Sequence, residues 1–379
     1  MATVTGDGHV IWPQNFNEVP KEIFHRPDIY AREIREIFQG KEWHPVAHRA
    51  EIPRPGDFKT GYLGEIPILA VHGDDAQIRV FENACTHRGT QLQTCNRGSA
   101  EKIECPYHRW TFSNSGELLG CPGKSDFPDG FDPRKYGLRQ LRSAVAMGLV
   151  FATCSKETPE LDAYLGEAKE FIGKVLGGEG RLSLLGYQKV RVSSNWKAYA
   201  DNEGYHAPLL HAAFRLLRWK GGKGFQILTS QAHKITHVDL NVPESGFLND
   251  RSLVEVRDEK VPPQSVIVSL FPISIIIKHL DVINVRYAFP RSPDETEVHY
   301  AYFSQESDSA ALAHHRLRQA SNLLGPSGFI SLEDGAVFNR LHVGARTTGN
   351  VAFQKGVGAD FDPNQTSFRH NDEPGTLIR

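Results

Sequence analysis

The stretch that decides the fold runs from residue 85 to residue 108 and reads CTHRGTQLQTCNRGSAEKIECPYH. It contains two short motifs, Cys85-Thr86-His87 and Cys105-Pro106-Tyr107-His108, with seventeen residues between His87 and Cys105. Each motif combines one thiolate with one imidazole. The flanking residues favour short β-strands, so each motif is predicted to lie in a loop beside a strand end. The sequence therefore predicts one metal site built from two loops.

Two Cys and two His are the ligands of a Rieske [2Fe-2S] centre, in which the thiolates hold one iron and the imidazoles hold the other. Such a centre accepts one electron at a time and passes it on. The same residues also suit a tetrahedral zinc site. Common zinc modules place two Cys on one knuckle and two His on a helix, whereas here each loop contains both types. The pattern favours the iron–sulfur cluster, with zinc as the alternative.

A cluster that only moves electrons needs an acceptor, and a second set of candidate ligands follows downstream. His206 and His211 are five residues apart, which on a regular α-helix places them ~140° from each other. A π-bulge or a distorted turn brings both rings to one face. Two His and one carboxylate are the ligands expected for a non-haem Fe(II) that activates O₂.

The carboxylate of this second site must come from elsewhere in the chain. Ser331-Leu332-Glu333-Asp334 begins or continues a predicted helix, so Glu333 or Asp334 can point inward, and we choose Asp334. Taken singly these residues are weak indicators, since a His pair usually has other roles and an Asp at a helix start is usually a cap. The preceding cluster motif makes an iron site the better interpretation.

Length and charge narrow the classes of function. The chain has 379 residues and a formal net charge of -2, so it lacks the concentrated basic surface needed to bind nucleic acid or an anionic membrane. Its most apolar stretch, 266–277, is shorter than the ~20 residues of a membrane span. The first residues show no secretory signal, and five cysteines argue against a disulfide framework. We expect a cytoplasmic protein.

The residue pattern predicts two domains. Residues 42–155 are rich in β-branched and aromatic residues separated by turn formers, which indicates an all-β domain with a hairpin of residues 66–72 and 78–83. Residues 1–41 and 156–379 are assigned to a second, antiparallel α+β domain. Its predicted strands are 187–192, 266–271, 282–289 and 297–304, and its predicted helices are 161–176, 203–217, 309–324 and 328–343.

Several motifs carry a family resemblance: Asn195-Trp196-Lys197, Tyr205-His206-Ala207, Leu209-Leu210-His211, Gly325-Pro326, Gly328-Phe329-Ile330-Ser331 and Glu333-Asp334-Gly335-Ala336-Val337. From about residue 42 to residue 337 the chain resembles the large (alpha) subunits of Rieske non-haem iron aromatic-ring-hydroxylating oxygenases. Within that family it looks most like terephthalate dioxygenase and salicylate 5-hydroxylase. The resemblance implies an α+β protein with an all-β Rieske [2Fe-2S] domain and an antiparallel-sheet, helix-grip (START-like) catalytic domain.

The resemblance also implies cofactors, ligands and assembly. The [2Fe-2S] cluster is expected on the four residues Cys85, His87, Cys105 and His108. The mononuclear Fe(II) is expected on His206, His211 and Asp334. The implied assembly is a head-to-tail homotrimer in which the cluster of one protomer serves the iron of its neighbour, with a small β subunit (α3β3) as a further option.

An acidic residue three positions before the first iron-binding His normally bridges the two metal sites in this family. Here that residue is Glu203. The chain departs from the pattern because Asp201-Asn202 is followed directly by Glu203, about two residues sooner than in the relatives, and because Glu replaces the commoner Asp. Both Glu203 and Asp201 therefore remain candidates for the bridge.

The expected activity is hydroxylation of an aromatic substrate with O₂ and NAD(P)H-derived electrons. The chain has no Gly-rich dinucleotide fingerprint, so a separate ferredoxin or reductase must supply the electrons. The resemblance favours an aromatic carboxylate, and Arg286 is a candidate partner for it through bidentate pairing. An ordinary structural role is the alternative for this arginine.

Two other functions stay open at this point. A Rieske monooxygenase acting on a quaternary ammonium or another non-aromatic substrate is the first, because choline-type enzymes also have Glu at the position of Glu203. A Rieske electron carrier is the second, and the additional ligand set after the cluster module argues against it. The sequence does not distinguish monooxygenation from dioxygenation.

Overall fold

The computed structural model describes residues 10–14, 18–202, 216, 221–240, 248–352 and 368–372. The chain forms two compact units. The smaller unit is Ile34–Leu161, and the larger unit combines Met1–Glu33 with Asp162–Arg379. Every strand pairing among the described residues is antiparallel.

The secondary structure has the following bounds. The strands are β1 Glu18–Pro20, β2 His44–His48, β3 Asp57–Leu63, β4 Ile66–His72, β5 Ile78–Glu82, β6 Arg97–Ser99, β7 Ile103–Glu104, β8 Thr111–Phe112, β9 Leu118–Gly120, β10 Gln140–Ala146, β11 Leu149–Thr153, β12 Leu182–Val192, β13 Gly221–Leu228, β14 Lys234–Leu240, β15 Gln264–Leu270, β16 Ser274–His279, β17 Val282–Ser292, β18 Glu295–Gln305, β19 Asn350–Ala352 and β20 Phe368–Asp372. The α-helices are α1 Pro27–Glu33, α2 Leu161–Leu165, α3 Ala168–Leu176, α4 Trp196–Asn202, α5 Ala310–Gln319 and α6 Ser331–Ala345. Wider, π-type turns occupy Ile34–Lys41 and Ala320–Leu324, and single 3₁₀ turns occupy Lys21–Phe24, Arg49–Glu51, Lys124–Asp126, Pro133–Tyr136 and Arg251–Leu253.

The smaller unit is an all-β structure with two cores. A seven-stranded sheet has the order β2-β11-β10-β5-β4-β3-β6, and a three-stranded sheet has the order β7-β8-β9. On β4, Ile68 and Ala70 pack in one core and Leu69 packs in the other, because side chains alternate between the faces of a strand. The second core also contains Cys85 and Cys105. The predicted hairpin is confirmed by the pairing of β4 with β5.

The larger unit is built on an eight-stranded sheet with the order β12-β18-β17-β16-β15-β14-β13-β20. The four strands predicted for this unit correspond to β12, β15, β17 and β18. On β17, Arg286 lies opposite Ile275 of β16 and Tyr300 of β18, while Asn284 lies opposite Tyr302. Since residues two apart share a face, these polar and aromatic side chains lie on one face of the sheet.

Glycines and backbone turns shift the helices from their predicted spans. The span 161–176 is two helices, because Gly166 turns the chain with a φ of 47°. The span 309–324 is α5 followed by π-type turns, and α5 begins after Ser309, whose side chain accepts from the N–H of Leu312. The span 328–343 begins later, at Ser331, because residues 328–330 bond back to residues 322–325. The predicted helix 203–217 lies outside the described residues apart from residue 216.

Mixed helices and antiparallel sheets confirm the predicted α+β class. Among the described helices, none combines the length and the apolar character needed to cross a membrane.

Candidate functional site

The two Cys/His loops of the smaller unit share one backbone pattern. In each loop the N–H of the cysteine donates to the carbonyl oxygen five residues later, at 2.8 Å in both. The N–H of the residue four positions after the cysteine donates back to the cysteine carbonyl, at 2.8 Å in the first loop and 3.1 Å in the second. That residue, Gly89 or Arg109, is in the left-handed region with a φ of 75° or 60°. The same turn thus presents His87 and His108 beside their cysteines.

The two thiols of the site are buried together. Cys85 is 2% exposed and Cys105 is 1% exposed. Burial raises the pKa of the Cys85 thiol, the backbone N–H of His87 lowers it, and the neighbouring Cys105 raises it. Backbone N–H groups directed at a sulfur stabilise the thiolate, which is the form that binds metals.

The two imidazoles of the site face each other, with ring centroids 4.7 Å apart and ring planes at 68°. Burial, and then the charges of His108 and Arg88, lower the pKa of His87, which favours the neutral ring that binds metals. In the described part of the chain, the buried Nδ1 atoms of His87 and His108 have no hydrogen-bond partner. Buried polar atoms normally have one, so these nitrogens fit metal ligands.

The donor set has the composition of a two-iron cluster site. Cys85 and Cys105 supply two buried thiols, and His87 and His108 supply two facing imidazoles. In a Rieske cluster the thiolates hold one iron and the imidazoles hold the other.

Aromatic side chains form a layer beside His87. The buried ring of Trp110 stacks on His87 at 4.8 Å with an interplanar angle of 6°. Phe127, Phe131 and Tyr136 extend the layer and line a cavity of about 350 Å³. Phe127 and Phe131 were not predicted from the sequence, because they lie far along the chain from both motifs and belong to no recognisable pattern. The layer keeps water from one side of the His87 ring.

In the larger unit, Asp334 lies in the first turn of α6 and is partly buried. Phe338, one helical turn later on the same face, is buried and its ring centroid lies 5.8 Å from that of Tyr199 on α4. Glu333 instead shares a face with Val337, which is 38% exposed. The side chain of Asp334 therefore projects from the face of α6 that packs towards α4, which favours it over Glu333.

The other candidates for the iron site lie at or beyond the end of α4. Asp201 is exposed in the last turn of α4 and lines two cavities of about 300 and 600 Å³. His206, His211 and Glu203 lie outside the described residues. Among the described residues, the candidates for the iron site and its bridge are thus Asp334 on α6 and Asp201 at the end of α4.

Arg286 is a buried cation on the sheet of the larger unit. It is 4% exposed, and its guanidinium lies over the ring of Tyr300 at 4.9 Å from the centroid. Its Nε donates to Oδ1 of Asn284 at 3.1 Å, and its Nη2 lies 3.4 Å from the carbonyl oxygen of Leu324. These contacts orient the guanidinium on the sheet face that carries Tyr302.

Two family models match the chain in succession. Residues 42–136 match the Rieske [2Fe-2S] domain, and residues 180–371 match the catalytic domain of the ring-hydroxylating alpha subunit. The chain belongs to the ring-hydroxylating oxygenase alpha subunits. It is an oxidoreductase that incorporates O₂ and carries a [2Fe-2S] cluster and a mononuclear iron. Its homologues are oxygenase alpha subunits that receive electrons from a reductase or ferredoxin and form multimers.

The relatives of this alpha subunit agree with the resemblance seen in the sequence. The large subunit of anthranilate 1,2-dioxygenase from Burkholderia cepacia is 33% identical, and the match covers 84% of this chain and 81% of that protein. The alpha 2 subunit of the terephthalate 1,2-dioxygenase terminal oxygenase component from Comamonas sp is 32% identical, covering 87% and 86%. The large oxygenase component of salicylate 5-hydroxylase from Ralstonia sp is 31% identical, covering 86% and 84%.

The fold of the alpha subunit is also that of a solved structure. Naphthalene 1,2-dioxygenase from Rhodococcus sp. bound to indole superposes with a TM-score of 0.81 over 95% of this chain and 91% of that chain, at 24% identity. The predicted combination of a Rieske domain with a ring-hydroxylase catalytic domain is confirmed.

Proposed function

We propose that this oxygenase hydroxylates an aromatic carboxylate, and that Arg286 binds the carboxylate of the substrate. The observation that carries the proposal is the position of a buried guanidinium on the catalytic sheet, stacked on Tyr300 and oriented by Asn284. A guanidinium held in one plane is suited to bidentate pairing with a carboxylate. Anthranilate, terephthalate and salicylate, named for the relatives above, are all aromatic acids.

The same arginine argues against a quaternary ammonium substrate. A buried positive charge disfavours a second cation nearby, because like charges interact strongly where the effective dielectric constant is low. Tyr300 and Tyr302 on the same sheet face are suited to pack against a flat ring. The aromatic acid is therefore the better substrate class for this site.

The proposed ligands of the two metal sites are assigned by the type of donor atom in each side chain. Cys85, His87, Cys105 and His108 would hold the [2Fe-2S] cluster, supported by the buried thiols and the two Nδ1 atoms. His206, His211 and Asp334 would hold the mononuclear iron. Glu203 or Asp201 would bridge the two sites. When bound, the cluster supplies single electrons and the mononuclear iron supplies O₂ activation.

The proposed domains are 42–155 for the cluster and 1–41 with 156–379 for the iron. The proposed assembly is a homotrimer, with or without a small β subunit, that takes NAD(P)H-derived electrons from a ferredoxin or a reductase. Within each protomer the protein would bind the substrate carboxylate at Arg286 and keep water away from His87 with the aromatic layer.

The test of the substrate class is product analysis with ¹⁸O₂, an electron donor and paired substrates. Each pair contains an aromatic acid and its neutral amide. We expect labelled hydroxylated products from the acids and little turnover of the amides. Equal turnover of both members of each pair would exclude a carboxylate-binding role, and labelled products from quaternary ammonium compounds alone would replace the proposed class.

A variant at Arg286 tests the proposed binding group directly. Arg286→Met should raise KM for aromatic acids by about 10–100-fold, which corresponds to loss of a charge-assisted pair of roughly 1.5–3 kcal/mol. KM for neutral analogues should change much less. Arg286→Lys retains the charge but not the bidentate geometry, so its KM for aromatic acids should lie between that of the wild type and that of Arg286→Met.

A variant at His206 tests the proposed iron site. His206→Ala should abolish oxygenation and retain the visible absorption of the cluster. Loss of both properties from a folded variant would contradict the separation of the two metal sites.

A further inference from the structure

A hydrogen-bonded pair of a buried and a partly exposed side chain connects the edge of the catalytic sheet to the segment before α6. Tyr302 on β18 is 1% exposed, and its hydroxyl donates to Oε1 of Gln188 on β12 at 2.5 Å. Nε2 of Gln188 donates to the hydroxyl of Ser321 at 3.1 Å. Ser321 lies in the π-type turns Ala320–Leu324 that follow α5. The Gln188–Tyr302 pair thus ties two strands to the chain that leads into α6.

Gly325, the residue after these turns, is pressed against the pair. A Cβ atom at Gly325 would lie 2.6 Å from the carbonyl oxygen of Ser321 and 2.8 Å from the hydroxyl of Tyr302, and it would also collide with Oε1 of Gln188. The φ of Gly325 is -67°, which any residue can adopt. Glycine is therefore needed here for space, and the backbone lies directly on the Gln188–Tyr302 pair.

The chain between Gly325 and α6 has little freedom to move away from this contact. The N–H groups of residues 328, 329 and 330 donate to the carbonyl oxygens of residues 325, 322 and 323, at 2.7, 2.7 and 3.0 Å. The hydroxyl of Ser331 donates to the carbonyl oxygen of Leu324 at 3.0 Å. A Cβ atom at Gly328 would lie 2.6 Å from the carbonyl carbon of Leu323. The start of α6 is consequently set by the position of Gly325 on the pair.

The position of the helix start matters because Asp334 lies in the first turn of α6. A displacement of α6 by one residue would move its carboxylate by ~1.5 Å along the axis and ~100° around it. Metal ligands must be held within about 0.5 Å of their working positions, and groups behind the ligands provide this precision. Burial of the Tyr302 side chain costs free energy unless its hydroxyl forms a hydrogen bond, which favours the geometry that bonds it to Gln188. The Gln188–Tyr302 pair therefore fixes the position of Gly325 as well as packing against it.

We infer that Gln188 and Tyr302 are positioning residues for the mononuclear iron: by holding Gly325 and the start of α6, they orient the carboxylate of Asp334. This inference rests on the assignment of Asp334 as an iron ligand in the proposed function. Neither residue needs to touch the metal. Their effect is transmitted through the backbone of residues 321–331.

The experiment measures metal affinity rather than turnover. The mononuclear iron is removed with a chelator under anaerobic conditions, and the protein that retains its cluster is titrated with Co²⁺. Tyr302→Phe removes only the hydroxyl, and Gln188→Met removes both polar atoms of a partly exposed side chain. Each variant should bind Co²⁺ about tenfold more weakly than the wild type, at the lower end of the range for groups behind metal ligands, while the cluster absorption stays unchanged.

A matched control separates positioning from general stability. Tyr164 also has a buried hydroxyl in the larger unit, which donates to the carbonyl oxygen of Phe271 at 2.9 Å. Tyr164→Phe should leave the Co²⁺ affinity unchanged, even if this variant loses as much thermal stability as Tyr302→Phe does. Gln188→Glu keeps an acceptor for Tyr302 and should retain more affinity than Gln188→Met.

The outcomes distinguish this inference from the proposed function. Wild-type affinity in both Tyr302→Phe and Gln188→Met, with loss of binding in Asp334→Ala, would overturn the positioning role and leave the iron ligand in place. An equal loss of affinity in Tyr164→Phe and Tyr302→Phe would also overturn it. Retained binding in Asp334→Ala would instead contradict the ligand assignment on which the inference rests.

Discussion

At the scale of single residues, the ion pair of Lys59 and Glu51 lies inside the cluster-carrying unit. Nζ and Oε1 are 2.8 Å apart, and the two side chains are 6% and 0% exposed. The backbone N–H of His48 also donates to Oε2 of Glu51, at 2.6 Å. Lys59→Met leaves the buried carboxylate without this cation, so the free energy of unfolding should fall by about 3–5 kcal/mol. Denaturant unfolding followed by cluster absorption measures the change.

The control for this prediction is an exposed ion pair in the same unit. Arg134 and Asp132 are 3.0 Å apart, and the side chain of Arg134 is 90% exposed. Solvent and salt screen such a pair, so Arg134→Met should leave the unfolding midpoint unchanged within error. A similar loss in Arg134→Met and Lys59→Met would show that burial is not the cause.

His233 makes the stability of the larger unit depend on pH. Burial lowers the pKa of His233 to about 4. Its Nδ1 accepts from the N–H of Phe271 at 3.1 Å, and its Nε2 donates to the carbonyl oxygen of Tyr164 at 3.0 Å. This bonding requires the neutral ring. Unfolded histidine has a pKa of about 6.5, so the stability present above that pH is lost as the pH falls towards 4.

The pH prediction is checked by thermal unfolding between pH 7.5 and pH 5. The midpoint of the wild type should fall over this range. His233→Asn retains a donor and an acceptor but cannot titrate, so its midpoint should fall less. A variant with the same pH slope as the wild type would exclude His233 as a source of the dependence.

Residue chemistry explains how much of the candidate site could be predicted. Cys85 and His87 are close together in the sequence, as are Cys105 and His108, so their grouping is evident from the sequence alone. The fold places the two thiols beside each other and the two imidazole rings 4.7 Å apart. Gln188 and Tyr302 are 114 positions apart, and nothing local marks either as part of a pair. A contact that depends on which strands are adjacent cannot be derived from one sequence.

At the scale of elements, the two glycines at the start of α6 should respond in opposite ways to the same substitution. A Cβ at Gly328 would collide with the backbone of Leu323, whereas a Cβ at Gly335 would have no described atom within 4 Å. Gly335→Ala should stabilise the helix by about 0.5–1 kcal/mol. Gly328→Ala should destabilise the unit by roughly 1–3 kcal/mol, as overpacking does.

Thermal unfolding of the two glycine variants, with circular dichroism to check helix content, measures this difference. Equal effects would mean that the turn of residues 325–330 can relax, which would weaken its role in setting the start of α6. Gly335→Ala is also a useful background for metal titrations, because it changes the helix next to Asp334 without disturbing the turn.

Predictability at this scale depends on whether the signal is local. The strands β4 and β17 were predicted because their apolar residues are contiguous and bounded by turn formers. The start of α6 was predicted three residues too early, since the backbone bonds of residues 328–330 to residues 322–325 are formed across a turn that helical periodicity does not reveal. The division of the predicted helix 161–176 at Gly166 was also not predicted. An isolated glycine is tolerated in many helices, so it does not by itself indicate a break.

At the scale of the whole molecule, the proposed head-to-tail trimer can be tested by mixing two inactive variants in one assembly. If the cluster of one protomer serves the iron of its neighbour, two inactive variants can restore each other. Cys105→Ser should remove the cluster and keep the iron site. Asp334→Ala should remove the iron site and keep the cluster. Each variant alone should be inactive.

Co-expression of these two variants with different affinity tags, followed by purification of mixed trimers, provides the measurement. In a closed head-to-tail ring, every mixed trimer has a single intact iron site that faces an intact cluster, whichever variant supplies two of the protomers. The purified mixed trimers should therefore recover about a third of the wild-type activity. Transfer within one protomer would restore none, because no protomer has both sites. Intact mixed trimers without activity would therefore contradict transfer between protomers, whereas recovery near a third would support the cyclic arrangement and the assignment of Cys105 and Asp334 to different metals.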